Sequence, residues 1–187
     1  KNAFEKRQNA STTKILTAIV AIEAGDPQSV VTVSSRAANI GGSTINLKKG
    51  EKIKLLDLLY GLMLQSGNDA AIAIAEHIGG TVENFMEMMN NKAKEIGADN
   101  THFTSPHGLD NPNHYTTAYD LALLTRYAMK KPLFRKIVKT KEITLNGPGG
   151  EVTLCNHNKL LWRYPYATGV KTGYTTAAGG CLVATAQ

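Results

Sequence analysis

Residues 9–22, Asn-Ala-Ser-Thr-Thr-Lys-Ile-Leu-Thr-Ala-Ile-Val-Ala-Ile, set a hydroxyl and an amine at the head of an almost unbroken apolar run. Apolar side chains at 15, 16 and 18–22 cover a helix on every side, and a helix apolar all round belongs at the centre of its domain. Any fold open to this chain is therefore organised around that helix. Ser11 and Lys14 stand three residues apart on one of its faces, where their side chains meet. Gly25 and Pro27 predict the stop, Gly as a C-terminal cap and Pro as a residue that cannot continue a helix. Taken alone the pair also has an ordinary reading, with Ser as an N-cap and Lys in a solvated first turn.

A length of 187 residues, 42% of them hydrophobic, is enough for one substantial core. The net charge of +6 is spread over 48–54, 92–94 and 130–141. Phe134 is the one aromatic residue within these stretches, which indicates solvated basic faces and argues against a nucleic-acid platform. An anionic polymer such as a cell wall stays open as the alternative partner for this charge. Cys155 and Cys181 have no Cys-x-x-Cys spacing and are too few for a disulfide scaffold, so free, buried thiols are expected, with pairing as the alternative. His77, His102, His107, His114 and His157 form no metal-ligand spacing, so neither a metal site nor any other cofactor is expected. No apolar run reaches the length of a membrane span.

Along the chain, residues 1–10 are polar and lead into the helix as a loop or the tail of a strand. Residues 30–33 and 52–55 are short strand patterns. Residues 55–64 and 70–78 read as two buried helices flanking the polar corner Gln65, Ser66, Gly67, Asn68 and Asp69. A loop with an N-cap is the plain meaning of that corner. Its apolar neighbours on both sides, however, carry it into the protein, where polar groups need partners or a task. An amphipathic helix over 82–96 ends at Gly97, and a loop follows over 98–115, in which His107 packs the loop or faces a site. Thr117 and Asp120 then open a helix over 117–129 as a capping-box variant. Residues 142–145 and 151–154 predict a hairpin about a turn at 146–150. Residues 160–166 read as a longer loop, and 169–175 and 180–186 as two further pairing strands. Mixed elements in this order indicate an α+β fold, a helical lobe packed on a mostly antiparallel sheet.

Ser11-x-x-Lys14, Ser66-Gly67-Asn68 and Lys171-Thr172-Gly173 each occur once, in that order. This set is shared by penicillin-binding proteins and class A β-lactamases. Together with residues 10–17, the Ser-Gly-Asn-Asp-Ala corner, residues 100–109 and residues 169–178, it spans nearly the whole chain. The chain resembles the low-molecular-mass penicillin-binding proteins of the D-alanyl-D-alanine carboxypeptidase family. The resemblance implies a β-lactamase/transpeptidase-like fold whose sheet lacks edge strands here. Residues 1–187 would form a penicillin-binding, D,D-carboxypeptidase catalytic domain truncated at both ends, with a membrane anchor in the full-length form.

Amide cleavage requires a nucleophile, a base, oxyanion donors and a hold on the substrate. By resemblance Ser11 is the nucleophile and Lys14 the base. A free lysine is protonated near neutral pH, so burial and a second cation, Lys171, are expected to lower its pKa. Ser66 is expected to relay protons and Asn68 to hold Lys14 and the substrate backbone. Lys171 and Thr172 would bind a terminal carboxylate, and Gly173 would let the strand approach the substrate closely. The backbone N–H groups of Ser11 and Tyr174 would form the oxyanion hole. Asn9 stands where many relatives have Pro, and Tyr174 where some have His. The implied reaction removes the terminal D-alanine of a peptidoglycan pentapeptide outside the bacterial membrane, with β-lactam antibiotics as covalent inhibitors.

Two alternatives stay open at this point. In a class A β-lactamase a carboxylate deacylates through water, and Glu142 with Asn146 superficially fits that loop. Its strand-like surroundings and Gly67 in the corner oppose this. The other alternative is a catalytically silent binding domain.

Overall fold

The computed structural model describes residues 1–147 and 150–187. The central run is α1 (Lys14–Ala24), entered through a 3-10 turn, Ala10–Thr13, so Ser11 lies in the tighter turn just ahead of the α-helix. Ile15, Leu16, Ala18, Ile19 and Ala21 are fully buried, as all-round apolarity requires. Burying one Leu or Ile of this kind contributes about 1.5–3 kcal/mol. Packed around α1 are α3 (Leu55–Leu64), α4 (Asn68–Gly79), α5 (Val82–Ile96), α6 (Ala118–Ala128) and α7 (Pro132–Lys139). Gly25 does cap α1, in extended rather than left-handed backbone. Smallness is what the position needs, since a Cβ there would stand 2.5 Å from Ile78 Cδ1 and 2.6 Å from Leu55 Cδ2.

The amphipathic helix α5 buries Val82, Phe85, Met86, Met89 and Ala93, opens on the Thr81 hydroxyl and closes at Gly97 in the left-handed region. At α6 the Thr117 hydroxyl accepts from Asp120 N. The Asp120 carboxylate does not complete the capping box. It accepts instead from Asn100 N and Thr101 Oγ1, both at 2.8 Å, and so ties the 98–115 loop to the helix.

Three helices lie where none was expected. α2 (Ser35–Ala38) is a single turn capped by the Ser34 hydroxyl. α7 begins with Pro132 and buries Phe134, Ile137 and Val138, a helical spacing masked in the sequence by its outward Arg135, Lys136 and Lys139. α8 (Leu160–Arg163) occupies part of the segment expected to be loop.

The chain is α+β, and among the described residues its strands form three two-stranded antiparallel ladders. β1 (Val30–Thr32) pairs with β2 (Lys52–Lys54), with Val31 opposite Ile53. β3 (Glu142–Gly147) pairs with β4 (Gly150–Cys155), and of the turn expected at 146–150, Pro148 and Gly149 lie outside the described residues. β5 (Ala167–Thr175) pairs with β6 (Gly179–Ala186), Lys171 opposite Val183 and Gly173 opposite Cys181. Both cysteines are free, but neither is buried as expected. Alternation along β4 turns Leu154 inward and leaves Cys155 exposed, and Cys181 is half-buried in the alternating β6. Among the described residues no helix is long and apolar enough to cross a membrane.

Candidate active site

The 3-10 turn that carries Ser11 is held from below. Asn9 is buried, and its Nδ2 donates to Thr12 Oγ1 (3.0 Å) and Thr13 Oγ1 (3.1 Å). The two hydroxyls donate in turn to the carbonyls of Asn9 (2.6 Å) and Ala10 (2.8 Å). Asn9 is thus a staple of the turn that carries Ser11. His114 adds a second support. Its Nδ1 accepts from Thr104 N at 3.1 Å, so its proton sits on Nε2, 2.8 Å from Thr13 Oγ1. Burial, reinforced by His102, lowers its pKa to about 4, and it is stacked on Phe103 at 4.7 Å. The turn is strained as well as held, because Ala10 has φ +47°.

Lys14 is 0% exposed and makes three short polar contacts: Ser11 Oγ at 2.9 Å, Asn68 Oδ1 at 2.8 Å and the His107 carbonyl at 2.9 Å. Asn68 Nδ2 donates to Gly41 O at 2.7 Å, which fixes the orientation of its amide. Desolvation and the charge of Lys171 lower the Lys14 pKa well below the ordinary lysine value, while Asp69 opposes them. In the neutral amine, two N–H bonds point to Asn68 Oδ1 and His107 O, which can only accept. The lone pair is then left facing the Ser11 hydroxyl.

The carbonyl of His107 was not legible in the sequence. Gly108 makes it possible: at φ +86° a Cβ would lie 2.0 Å from Ala10 O, so only Gly lets this loop rest on the turn that carries Ser11. The His107 ring accepts from Leu109 N at 3.2 Å. Burial first, and Lys14 next, lower its pKa to about 3, so the ring is neutral. Both roles considered for this residue are therefore realised, one by the ring and one by the backbone.

Ser66 is buried at the end of α3 with φ +62°, and its hydroxyl has no hydrogen-bond partner among the described residues. α4 begins at Asn68 behind the N-cap Gly67, so Asn68 and Asp69 belong to its first turn rather than to a preceding loop. From β5 comes Lys171, 1% exposed, whose Nζ donates to Thr172 O at 2.9 Å and whose pKa burial lowers to about 7. Thr172 and Gly173 are half-buried, and the Tyr174 side chain is 75% exposed.

On one side Gly173 packs on the backbone around Ser11. A Cβ on it would stand 2.8 Å from Ser11 N, 3.1 Å from Ala10 Cβ and 3.2 Å from Thr12 N. The two backbone segments expected to supply oxyanion donors are therefore in contact. His157, which sequence reasoning passed over, lies near Lys171: its backbone N–H donates to Leu64 O at 3.1 Å, and burial and Lys171 lower its pKa. A separate hollow of about 1030 Å³ between α6, α7 and β6 includes none of these residues.

Comparison with known proteins agrees with this arrangement. The family model described as D-alanyl-D-alanine carboxypeptidase matches residues 1–187. D-alanyl-D-alanine carboxypeptidase DacF of Bacillus subtilis is 41% identical over 193 residues, covering 100% of this chain and 50% of that protein. DacD of Escherichia coli is 39% identical over 198 residues, covering 99% of this chain and 50% of its own length. The chain thus spans about half the length of these curated relatives. Among solved structures, the DD-transpeptidase of Streptomyces K15 matches with a TM-score of 0.95 and 38% identity, over 100% of this chain and 78% of that one. The D-alanyl-D-alanine carboxypeptidase DacD of Francisella tularensis matches with a TM-score of 0.92 and 35% identity, over 100% and 58%. The fold is that of the penicillin-binding transpeptidases, and with the model matched from end to end the chain belongs to the D-alanyl-D-alanine carboxypeptidase family of serine peptidases.

Proposed function

We propose that residues 1–187 are the catalytic domain of a serine D-alanyl-D-alanine carboxypeptidase that removes the terminal D-alanine from peptidoglycan stem pentapeptides through an acyl-enzyme on Ser11. The observation that carries this is the placement of Lys14 Nζ, buried and 2.9 Å from Ser11 Oγ, with its other two positions taken by acceptors. In the neutral form Lys14 takes the Ser11 proton as the oxygen bonds to the carbonyl carbon of the penultimate residue. The oxyanion is held by the N–H groups of Ser11 and Tyr174. As the C–N bond breaks, the leaving amine receives that proton by way of Ser66, whose hydroxyl is unengaged among the described residues. Water then enters, Lys14 again acts as base, and the ester on Ser11 is hydrolysed. Lys171 and Thr172 bind the substrate's terminal carboxylate, Lys171 acting as a charge beneath the strand, since it is itself 1% exposed.

The substrate places this activity on the outer side of the bacterial cytoplasmic membrane, with the full-length protein anchored there. β-Lactam antibiotics, which mimic the acyl-D-Ala-D-Ala end, are its covalent inhibitors. Transpeptidation differs only in the acceptor, an amine in place of water, and the likeness to the Streptomyces K15 DD-transpeptidase makes it the second reading. Against a class A β-lactamase stands Glu142, exposed on β3 and paired with Cys155.

The test is intact mass after incubation with benzylpenicillin, followed over time for the wild type and Ser11→Ala. A long-lived adduct on the wild type alone is expected. An adduct that survives in Ser11→Ala overturns the nucleophile assignment, and rapid turnover of the drug by the wild type favours the β-lactamase.

A further inference from the structure

Beside Asn68, in the first turn of α4, lies a carboxylate without an ion pair. Asp69 is 1% exposed, and none of the salt bridges among the described residues includes it. Backbone amides fill its oxygens: Ile45 N at 3.1 and 3.0 Å, Leu47 N at 3.0 Å and Ala70 N at 2.9 Å. These bonds pin the 41–47 segment against the site. That same segment accepts from Asn68 twice, Gly41 O from its Nδ2 and Ser43 O from its backbone N–H, each at 2.7 Å. Gly67 belongs to the fit, since a Cβ there would stand 2.8 Å from Asp69 Oδ1. These amides satisfy the buried carboxylate, and Lys14, whose Nζ is held 2.8 Å from Oδ1 of the adjoining Asn68, is a cation that feels its charge.

We propose that Asp69 is a positioning residue for Lys14: it clamps the 41–47 segment onto Asn68, which holds Lys14, and its buried charge opposes that of Lys171. It acts through Asn68 and Lys14 and does not touch the substrate; the inference rests on the reading of Lys14 as the base. The charged and titratable groups facing Lys14 are Lys171 from β5, His107 from the 98–115 loop and Asp69 from α4. Asp69 also lines an open hollow of about 610 Å³ that has Lys48 and Lys49 on its rim. Burial and Lys171 both favour the neutral amine, and Asp69 alone of these groups favours the ammonium. Without it Lys14 would be a weaker base, deprotonated at lower pH but a poorer acceptor of the Ser11 proton.

The test follows the rate of Ser11 acylation by benzylpenicillin against pH for the wild type, Asp69→Asn and Asp69→Glu. Asp69→Asn removes the charge, and its acidic limb is expected to move down by on the order of one pH unit, with a plateau lowered about tenfold. An acidic limb coincident with that of the wild type would overturn the proposal, because a merely structural residue lowers the plateau and leaves the limb in place. Asp69→Glu keeps the charge, misplaced by one methylene, so its limb stays and only its plateau falls. A limb displaced in Asp69→Glu also overturns the proposal, which keeps it testable if Asp69→Asn fails to fold. Lys14→Gln separates the two levels. Wild-type acylation in that variant sinks the functional reading itself, whereas an inactive Lys14→Gln beside an unmoved Asp69→Asn limb sinks only the role of Asp69.

Discussion

Replacing Gly173 by Ala tests whether the contact between β5 and the turn that carries Ser11 matters to the chemistry. The new Cβ would meet Ser11 N at 2.8 Å, where an ordinary contact begins at 3.4 Å, so the strand and the turn must separate by about 0.6 Å. Both of the nearest atoms on Ser11 and Thr12 are backbone, in a turn already fixed by Asn9, Thr13 and His114. No flexible side-chain end is available to yield. A misplacement of about 1 Å costs about a hundredfold in rate, and losing one oxyanion donor costs about a hundred- to a thousandfold. Gly173→Ala is therefore expected to slow acylation by a β-lactam between about ten- and a hundredfold. The accompanying loss of stability is about 1–3 kcal/mol, the usual range for overpacking. The assay is the second-order acylation rate with a fluorescent penicillin, checked by thermal denaturation to confirm that the variant is folded. Gly180→Ala, in the same hairpin opposite Tyr174 with open space where its Cβ would go, is the matched control and should acylate within about twofold of the wild type. Acylation of Gly173→Ala at the wild-type rate would refute the idea that this close approach aligns the oxyanion donors.

Lys171→Gln removes the cation that helps keep Lys14 neutral, so the acidic limb of the acylation profile should move to higher pH, opposite in sign to Asp69→Asn; stopped-flow acylation across pH measures it. His114 has its folded pKa depressed to about 4, against an ordinary value of 6.5. Its contribution to stability is therefore complete above about pH 6.5 and is lost as pH falls toward 4, a change of about 3 kcal/mol. Urea unfolding at stepped pH should show this slope, and His114→Gln should flatten it. Glu142→Gln, on an exposed strand position, should leave acylation and deacylation unchanged within about twofold, and a collapse of deacylation measured by adduct lifetime would return the β-lactamase reading to contention.

What could be read in the sequence divides along physical lines. The place of α1 was legible because apolarity on every side has one solution, burial. The strands β1 and β2, though not their pairing, and the pairings of β3 with β4 and of β5 with β6 were legible in short strand-like runs bounded by turn residues. α7 was not, because three buried side chains among many basic ones leave little contrast until the tertiary neighbours of Phe134 and Ile137 are known. In the site, the side chains of Ser11, Lys14, Asn68 and Lys171 announce themselves through motif spacing. The carbonyl of His107 does not, since every residue has a carbonyl and only the fold selects one. The same holds for Asp69, whose partners are backbone amides 22 and 24 residues away. Gly173 was legible as a point of close approach, and the fold adds a neighbour that the motif does not announce, the backbone of Ser11 and Thr12.

Two residues at the centre of the site, Ala10 and Ser66, sit in left-handed backbone without being glycine. Each such residue costs roughly 1–2 kcal/mol that a Gly would relieve. A laboratory population selected for heat resistance alone would therefore accumulate Gly at positions 10 and 66. It would gain melting temperature by loosening the turn that aims Ser11 and the corner that presents a serine hydroxyl, so the most heat-resistant descendants would be the poorest catalysts.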